Sequence, residues 1–320
     1  MRHSGRVLCV LTALLMAALP TAAADAAAPT SPQAVITADF PDPDVIRVGS
    51  TFYAYSTSSS GRTVPVASAP SASGPWTIRG EAMPDKPSWV GCIQGDCGWW
   101  APDVSRRADG RYLMYFSAPS PAAGRRCIGA AVASGPLGPF RPLGNGPVTC
   151  NPSEGGAIDP SSLVDAHGKR YLLYKNDGNA VQKPAILWLQ QVGADGVTLV
   201  GARKELLRNG PGEDGVVEAP VLVKRPTGYV LFYSAGNYGT DRYHTRYATS
   251  PSLTGPYTKA DKPLMTTEGL GGAVHGPGGA DVLDDRIFFH GWAPGRVRWM
   301  YTANLDWVNG RPVVQGSRAR

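Results

Sequence analysis

Three acidic motifs carry residue types suited to acid–base chemistry: Phe40-Pro41-Asp42-Pro43-Asp44, Ile158-Asp159-Pro160-Ser161 and Val217-Glu218-Ala219-Pro220. They fall at whole multiples of a spacing of 58–61 residues, and each is followed by an aromatic stretch. Carboxylates at the same place in repeated units converge on a common axis. Around one cavity they can hydrolyse a sugar bond, one giving a proton to the leaving oxygen and another taking a proton from water. The motifs are not strict equivalents. Asp42 and Asp159 stand directly before their Pro, whereas Glu218 stands two residues before its own, and the sequence offers no reason for the offset.

The elements that must position these carboxylates also repeat. Aromatic stretches occupy 51–56, 112–117, 171–176, 229–234 and 287–290, and aligning Ser56, Ser117, Asn176 and Ser234 gives steps of 61, 59 and 58. Turn residues precede them, as in Val48-Gly49-Ser50, Asp109-Gly110, His167-Gly168, Thr227-Gly228 and Asp284-Asp285, which are hairpin signals. A second block recurs as Ser73-Gly74-Pro75-Trp76, Leu137-Gly138-Pro139-Phe140 and Thr254-Gly255-Pro256-Tyr257. No helical period appears. Five units of this length, each a small antiparallel sheet, predict an all-β, single-domain, five-bladed β-propeller. A two-sheet sandwich leaves the repeat unexplained. The innermost strands are expected at 42–47, 100–105, 158–164, 218–223 and 276–283. They are mostly apolar, so a carboxylate there is costly unless it is paired, solvated or used.

Residues 1–28 read as a secretory signal peptide. Arg2 and Arg6 precede an apolar run from Val7 to Leu19, and small residues follow. The run is shorter than the roughly 20 residues a membrane span needs. Residues 29–34 read as a flexible lead-in and 35–320 as the propeller. The net charge of +6 becomes +5 once Arg2, Arg6 and Asp25 go with the leader. The basic residues are scattered, which argues against nucleic acid, and a secreted monomer off the membrane is expected. Cys92, Cys97, Cys127 and Cys150 remain, which favours two disulfides. Three pairings are open. The expectation is Cys92–Cys97 with Cys127–Cys150, because each pair is local.

At these residues the chain resembles glycoside hydrolase family 43, the inverting arabinanases, α-L-arabinofuranosidases and β-xylosidases built on five-bladed propellers. The matching stretches are Asp39-Phe40-Pro41-Asp42-Pro43-Asp44, Trp100-Ala101-Pro102-Asp103-Val104, Ile158-Asp159-Pro160-Ser161, Glu218-Ala219-Pro220, Phe232-Tyr233-Ser234-Ala235-Gly236-Asn237-Tyr238 and Thr254-Gly255-Pro256-Tyr257. They cover essentially the whole chain after the leader. The resemblance implies Asp42 as general base, Glu218 as general acid and Asp159 as the carboxylate that orients the acid and raises its pKa. An inverting pair must stand about 6.5–9.5 Å apart to admit a water.

Trp100 is implied as a pocket wall, since sugars stack their C–H faces on aromatic rings. Phe40 and His275 are further candidates for substrate contact. The resemblance also implies a His near the channel axis, here His275, in some members beside a calcium or sodium ion, although no cofactor is required for chemistry. Asp44 and Asp103 read as structural, and Glu154, Glu213 and Asp214 as solvated loop residues. Arg246, Arg296 and Arg298 compete as a hydroxyl-binding arginine. The expected substrate is a plant cell-wall polysaccharide, arabinan or arabinoxylan. An α-L-arabinofuranosidase is favoured because the chain lacks the C-terminal β-sandwich of many β-xylosidases. β-Xylosidase, endo-1,5-arabinanase and a non-catalytic sugar-binding propeller are the alternatives.

Overall fold

The computed structural model describes Met1 and residues 32–317. The signal-peptide reading, apart from Met1, and the first part of the lead-in lie outside the described residues. A leading strand, β1 (Gln33–Ile36), precedes five sheets in chain order. Blade 1 is β2 (Asp44–Val48), β3 (Thr51–Tyr55), β4 (Pro65–Ala69) and β5 (Thr77–Glu81). Blade 2 is β6 (Trp100–Arg106), β7 (Tyr112–Ser120), β8 (Arg125–Ala133) and β9 (Arg141–Leu143). Blade 3 is β10 (Ile158–Val164), β11 (Arg170–Asn176), β12 (Ile186–Val192) and β13 (Leu199–Arg208). Blade 4 is β14 (Val217–Arg225), β15 (Gly228–Ala235), β16 (His244–Ser250) and β17 (Thr258–Lys259). Blade 5 is β18 (His275–Leu283), β19 (Arg286–Ala293) and β20 (Val297–Val308), with β21 (Arg311–Val314) also on β20.

The molecule is the five-bladed β-propeller expected. β1 pairs antiparallel with β20, so the start of the chain completes the last blade. Gln33 and Ala34 therefore belong to the sheet rather than to a lead-in. The second strands are aromatic because they are covered on both faces. Tyr55, Tyr115, Tyr174, Tyr233, Phe232 and Phe288 are among the most deeply buried side chains. They fall into five apolar clusters, one at each seam between neighbouring blades. The last cluster joins Phe288 and Met300 of blade 5 to Val45 and Ala54 of blade 1 and closes the ring.

One backbone feature recurs in all five blades, a left-handed residue at the start of the inner strand, which in four of them sits in a bulge and in blade 1 lies just before β2. In blade 2, Trp100 pairs with Ser117 but Asp103 pairs with Tyr115, so the inner strand carries one extra residue. The same bulge lies between Ile158 and Ser161, between Glu218 and Val221, and between Gly278 and Asp281. The left-handed residues are Asp42, Ala101, Asp159, Ala219 and Gly279, with φ of 51, 44, 52, 48 and 56°. Pro43, Pro102, Pro160 and Pro220 follow directly. A bulge is where a sheet tolerates proline, because the ladder is already interrupted there.

The bulge accounts for the offset of Glu218. Blade 4 places Ala219 at the left-handed position, and Glu218 stands one residue earlier, in register with Trp100 and Ile158.

Candidate active site

Asp42, Asp159 and Glu218 line one cavity of about 460 Å³ at the bulged ends of the inner strands. Trp100, Ile158, Lys175, Tyr238, Tyr243 and Arg298 share it. Both positions flanking the bulge reach this space, so a Glu from one residue earlier joins two shorter Asp side chains.

The surroundings of Asp42 favour a carboxylate. Thr57 Oγ1 donates to Asp42 Oδ2 at 2.6 Å, Arg298 lies 3.6 Å from Oδ2, and His290 Nδ1 lies 3.2 Å from Oδ1. Burial by itself would raise this carboxyl. Arg298, then His290 and the Thr57 hydroxyl outweigh burial and hold it well below the usual carboxylate range. His290 is buried, stacks against Tyr243 at 5.8 Å and is pushed down by burial. Gly279 is required beside them. A Cβ there would come within 2.6 Å of the His290 ring and 2.8 Å of Asp42 Oδ1.

Asp159 behaves in the opposite way. Burial first, and the Glu218 carboxylate second, push it up to about 8, while Lys175 and the Ala219 N–H oppose the rise. Lys175 is buried, and its Nζ donates to Glu218 Oε2 at 2.9 Å and to Asp177 Oδ1 at 3.1 Å. Burial works against its charge, but the carboxylates of Glu218 and Asp177 hold the ammonium above the usual lysine range. The cavity thus offers one strongly ionised carboxylate and, apart from it, a carboxyl that keeps its proton near neutral pH. This is the division of labour that acid–base hydrolysis uses.

Trp100 lines the cavity, its ring covered by the Arg126 guanidinium at 3.3 Å from the centroid. Arg126 donates to the Gly98 carbonyl and pairs with Asp96. Asp96 lies in a loop closed by Cys92–Cys97, and the second disulfide is Cys127–Cys150. The first bridge therefore braces the support of Trp100.

Two candidate contacts lie elsewhere. Phe40 is fully buried in the seam between blades 5 and 1; residues two apart share a face on an extended chain, but Asp42 is left-handed at φ 51° and its carboxyl turns to the cavity. His275 is exposed at the start of β18, paired with Asp241 at 3.2 Å, and is not part of the cavity wall. The histidine beside the axis is His290. Its Nε2 is buried with no partner, but among the described residues no cluster of three or more His, Cys, Asp or Glu side chains is arranged to hold a metal ion.

Of the three competing arginines, Arg298 reaches the cavity, whereas Arg246 turns to Glu213 at 3.7 Å and Arg296 sits in an exposed turn. Glu213 is not solvated. It is buried and accepts from Tyr233 Oη at 2.9 Å and Lys259 Nζ at 2.6 Å. Thr57, Lys175, Tyr243 and His290 were missed as site residues. Thr57, Lys175 and His290 each follow the aromatic run of a second strand, and a polar residue after such a run is the available signal.

A profile of the glycosyl hydrolases family 43 matches residues 31–304. The chain belongs to this family. It is a glycosidase by that membership. It is 29% identical over 306 residues to arabinan endo-1,5-alpha-L-arabinosidase A of Aspergillus niger, covering 85% of this chain and 90% of the relative. It is 29% identical over 288 residues to a probable arabinan endo-1,5-alpha-L-arabinosidase C of Aspergillus flavus, covering 80% and 86%. Among solved structures, a thermostable family-43 glycoside hydrolase superposes with a TM-score of 0.75 at 24% identity, over 88% of this chain and 94% of the other. That last likeness speaks to the fold alone.

Proposed function

We propose that this protein hydrolyses α-1,5-linked arabinofuranosyl chains of arabinan with inversion, acting within the chain. Asp42 takes the proton of the attacking water, Glu218 gives a proton to the leaving oxygen, and Asp159 orients and tunes Glu218. The observation that carries this reading is the convergence of three carboxyls in one cavity with opposed environments, Asp42 held low and Asp159 held high. Inversion is a single displacement. Water attacks one face of the sugar while the acid protonates the oxygen leaving from the other. Trp100 and Tyr238 supply ring faces for sugar C–H groups, and Arg298 a donor for a hydroxyl.

Action within the chain is favoured over release of single sugars by two facts. The relatives just described are named endo-1,5-arabinosidases. The catalytic cavity also shares Asp214 with a second depression of about 740 Å³, lined by Asp241, Arg242, His244 and Thr267, which leaves room for further sugars. The two disulfides and the basic, apolar N-terminal segment support secretion into an oxidising compartment.

Linear 1,5-arabinan followed by chromatography and by proton NMR of freshly formed ends tests the reading. Oligosaccharides of mixed length with β-configured reducing ends are expected. Free arabinose alone would make the enzyme an exo-acting arabinofuranosidase. Retained configuration would overturn the single displacement, and no release from arabinan would overturn the substrate.

A further inference from the structure

Lys175 breaks a rule that the other four blades keep. At the end of each second strand, opposite the residue before the bulge, a side chain accepts the N–H of the left-handed residue in the next blade. Thr57 Oγ1 accepts from Ala101 at 2.9 Å, Ser117 Oγ from Asp159 at 3.0 Å and Ser234 Oγ from Gly279 at 2.8 Å. His290 Nδ1 accepts from Asp42 at 3.1 Å and closes the ring. Blade 3 has Lys175 in this place, opposite Ile158. An ammonium has three donors and no acceptor. The N–H of Ala219 goes instead to Asp159 Oδ2 at 3.0 Å, and the lysine turns to Glu218 and Asp177. One departure in the repeat pins Asp159 to the backbone beside Glu218 and sets a cation on Glu218.

We propose that Lys175 is the positioning residue that makes Asp159 and Glu218 act as a one-proton acid: it fixes the two carboxyls side by side and offsets the second negative charge as their proton leaves. This rests on the hydrolytic reading above. Two adjacent carboxyls are costly to ionise together, and one proton is shared between them. In the resting pair burial and Glu218 keep that proton on Asp159. It passes by way of Glu218 to the glycosidic oxygen. The carbon–oxygen bond breaks with its electron pair on that oxygen, which the proton caps. The water oxygen bonds the anomeric carbon, and the water proton goes to Asp42. Both carboxyls of the pair are then ionised. Of the titratable groups that face them, Asp42 and Asp177 add negative charge, Tyr243 is neutral, burial pushes His290 away from its charged form, Arg298 sits on Asp42, and Arg126 acts only at longer range from its seat on Trp100. Lys175 is the cation in contact.

The test variant is Lys175→Ser, which restores the residue that blades 2 and 4 carry here and so suits the fold. Lys175→Met, which keeps the bulk and removes the charge, carries the same test if the serine variant does not fold. NMR titration of protein labelled at the Asp and Glu carboxyl carbons reads the pair without any substrate. The expected result is a rise of about one pH unit or more in its proton release, equivalent to roughly tenfold or more weaker acidity. The basic limb of kcat/KM should move up with it. Cleavage of linear arabinan should fall at least roughly tenfold, while an aryl glycoside of an α-1,5-arabino-oligosaccharide, whose leaving group needs no protonation, is spared.

An unchanged titration would overturn the proposal whatever happens to the rates. So would an equal loss on both substrates, which marks a merely structural lysine. The titration stands apart from the identity of the polymer, so failure on arabinan by the unmodified enzyme would sink the substrate and leave Lys175 judged.

Discussion

The same inner strands carry two sets of largely enclosed aspartates that do opposite work. Asp42 and Asp159 occupy the left-handed position and face the cavity. Asp44, Asp103 and Asp281 stand two residues after that position and line a second space of about 190 Å³ between the inner strands, which Asp42 and Asp159 also border, and none of the three reaches the larger cavity. The second set crosses the blade seams. Asp44 accepts the Val104 N–H at 2.9 Å, Asp103 the Ser162 N–H at 3.1 Å, and Asp281 the Val45 N–H at 2.8 Å. The last of these fastens blade 5 to blade 1. Burial, in Asp44 followed by the charges of the other two, raises all three, with Asp281 at about 7. No arginine or lysine forms an ion pair with them among the described residues. The difference lies in the partners. Asp42 has Arg298 beside it and open cavity in front of it, which suit proton transfer; Asp159 also accepts an N–H across a seam, from Ala219, but lies beside Glu218 and Lys175, whereas the second set has only the seam.

Exchanging carboxyl for amide at both positions of one strand breaks the comparison most sharply. Asp42→Asn should lower kcat on arabinan by about 10²–10⁴-fold, because the amide cannot take the proton from water. Asp44→Asn, two residues on, keeps an oxygen that can accept the Val104 N–H, and its rate should stay near that of the unmodified enzyme. Initial rates decide the matter. Comparable losses at the two positions would show that position relative to the bulge does not divide the labour.

A second test reads the pH dependence of stability. The folded state raises Asp281 from 3.8 to about 7. Its contribution is therefore complete below the unfolded value and is lost as pH climbs through about 7. From about pH 4 to about pH 8 the loss is up to about 4 kcal/mol. Asp42 has the opposite sign, and its contribution is lost on acidification. Asp281→Asn should match the unmodified protein in acid and exceed it in mild base, as read from denaturant midpoints at the two pH values. An identical pH dependence in the variant would remove the seam aspartate from the account.

Much of this was legible in the sequence, and the failures share a physical cause. The repeat gave the five blades, and the acidic motifs gave the three carboxyls that meet. The aligned column of Ser56, Ser117, Asn176 and Ser234 was off by one in two blades. The structural column is Thr57, Ser117, Lys175, Ser234 and His290, because a bulge shifts pairing by one residue without a mark that aligns strand ends. That slip hides Lys175; His290 closes the fifth aromatic stretch, outside the aligned column, and reads as an ordinary strand residue, which leaves His275 as the candidate histidine. Nearness in sequence to Asp42 does not bring Phe40 to the cavity, because the left-handed turn at Asp42 breaks the alternation that would put residues two apart on one face. Glu213 looked solvated in its Gly-rich loop, and nothing local announced Tyr233 and Lys259, which come from other strands.

The smallest expected effect concerns the backbone that separates the two sets. Ala101 is held at φ 44° with no catalytic side chain to explain it. A side chain in this region costs about 1–2 kcal/mol, which glycine escapes. Glycine forfeits about 0.5–1 kcal/mol through its freer unfolded chain. Ala101→Gly should therefore leave stability unchanged or raise it by up to about 1 kcal/mol, with activity intact, since the N–H that meets Thr57 remains. The same change at an ordinary strand position, Ala131→Gly at a fully buried residue of β8, should destabilise. Thermal melts of the two variants compare them directly. A clear loss at Ala101 would mean that the bulge is not where the inner strand stores its strain, and the division between cavity and seam would need another origin.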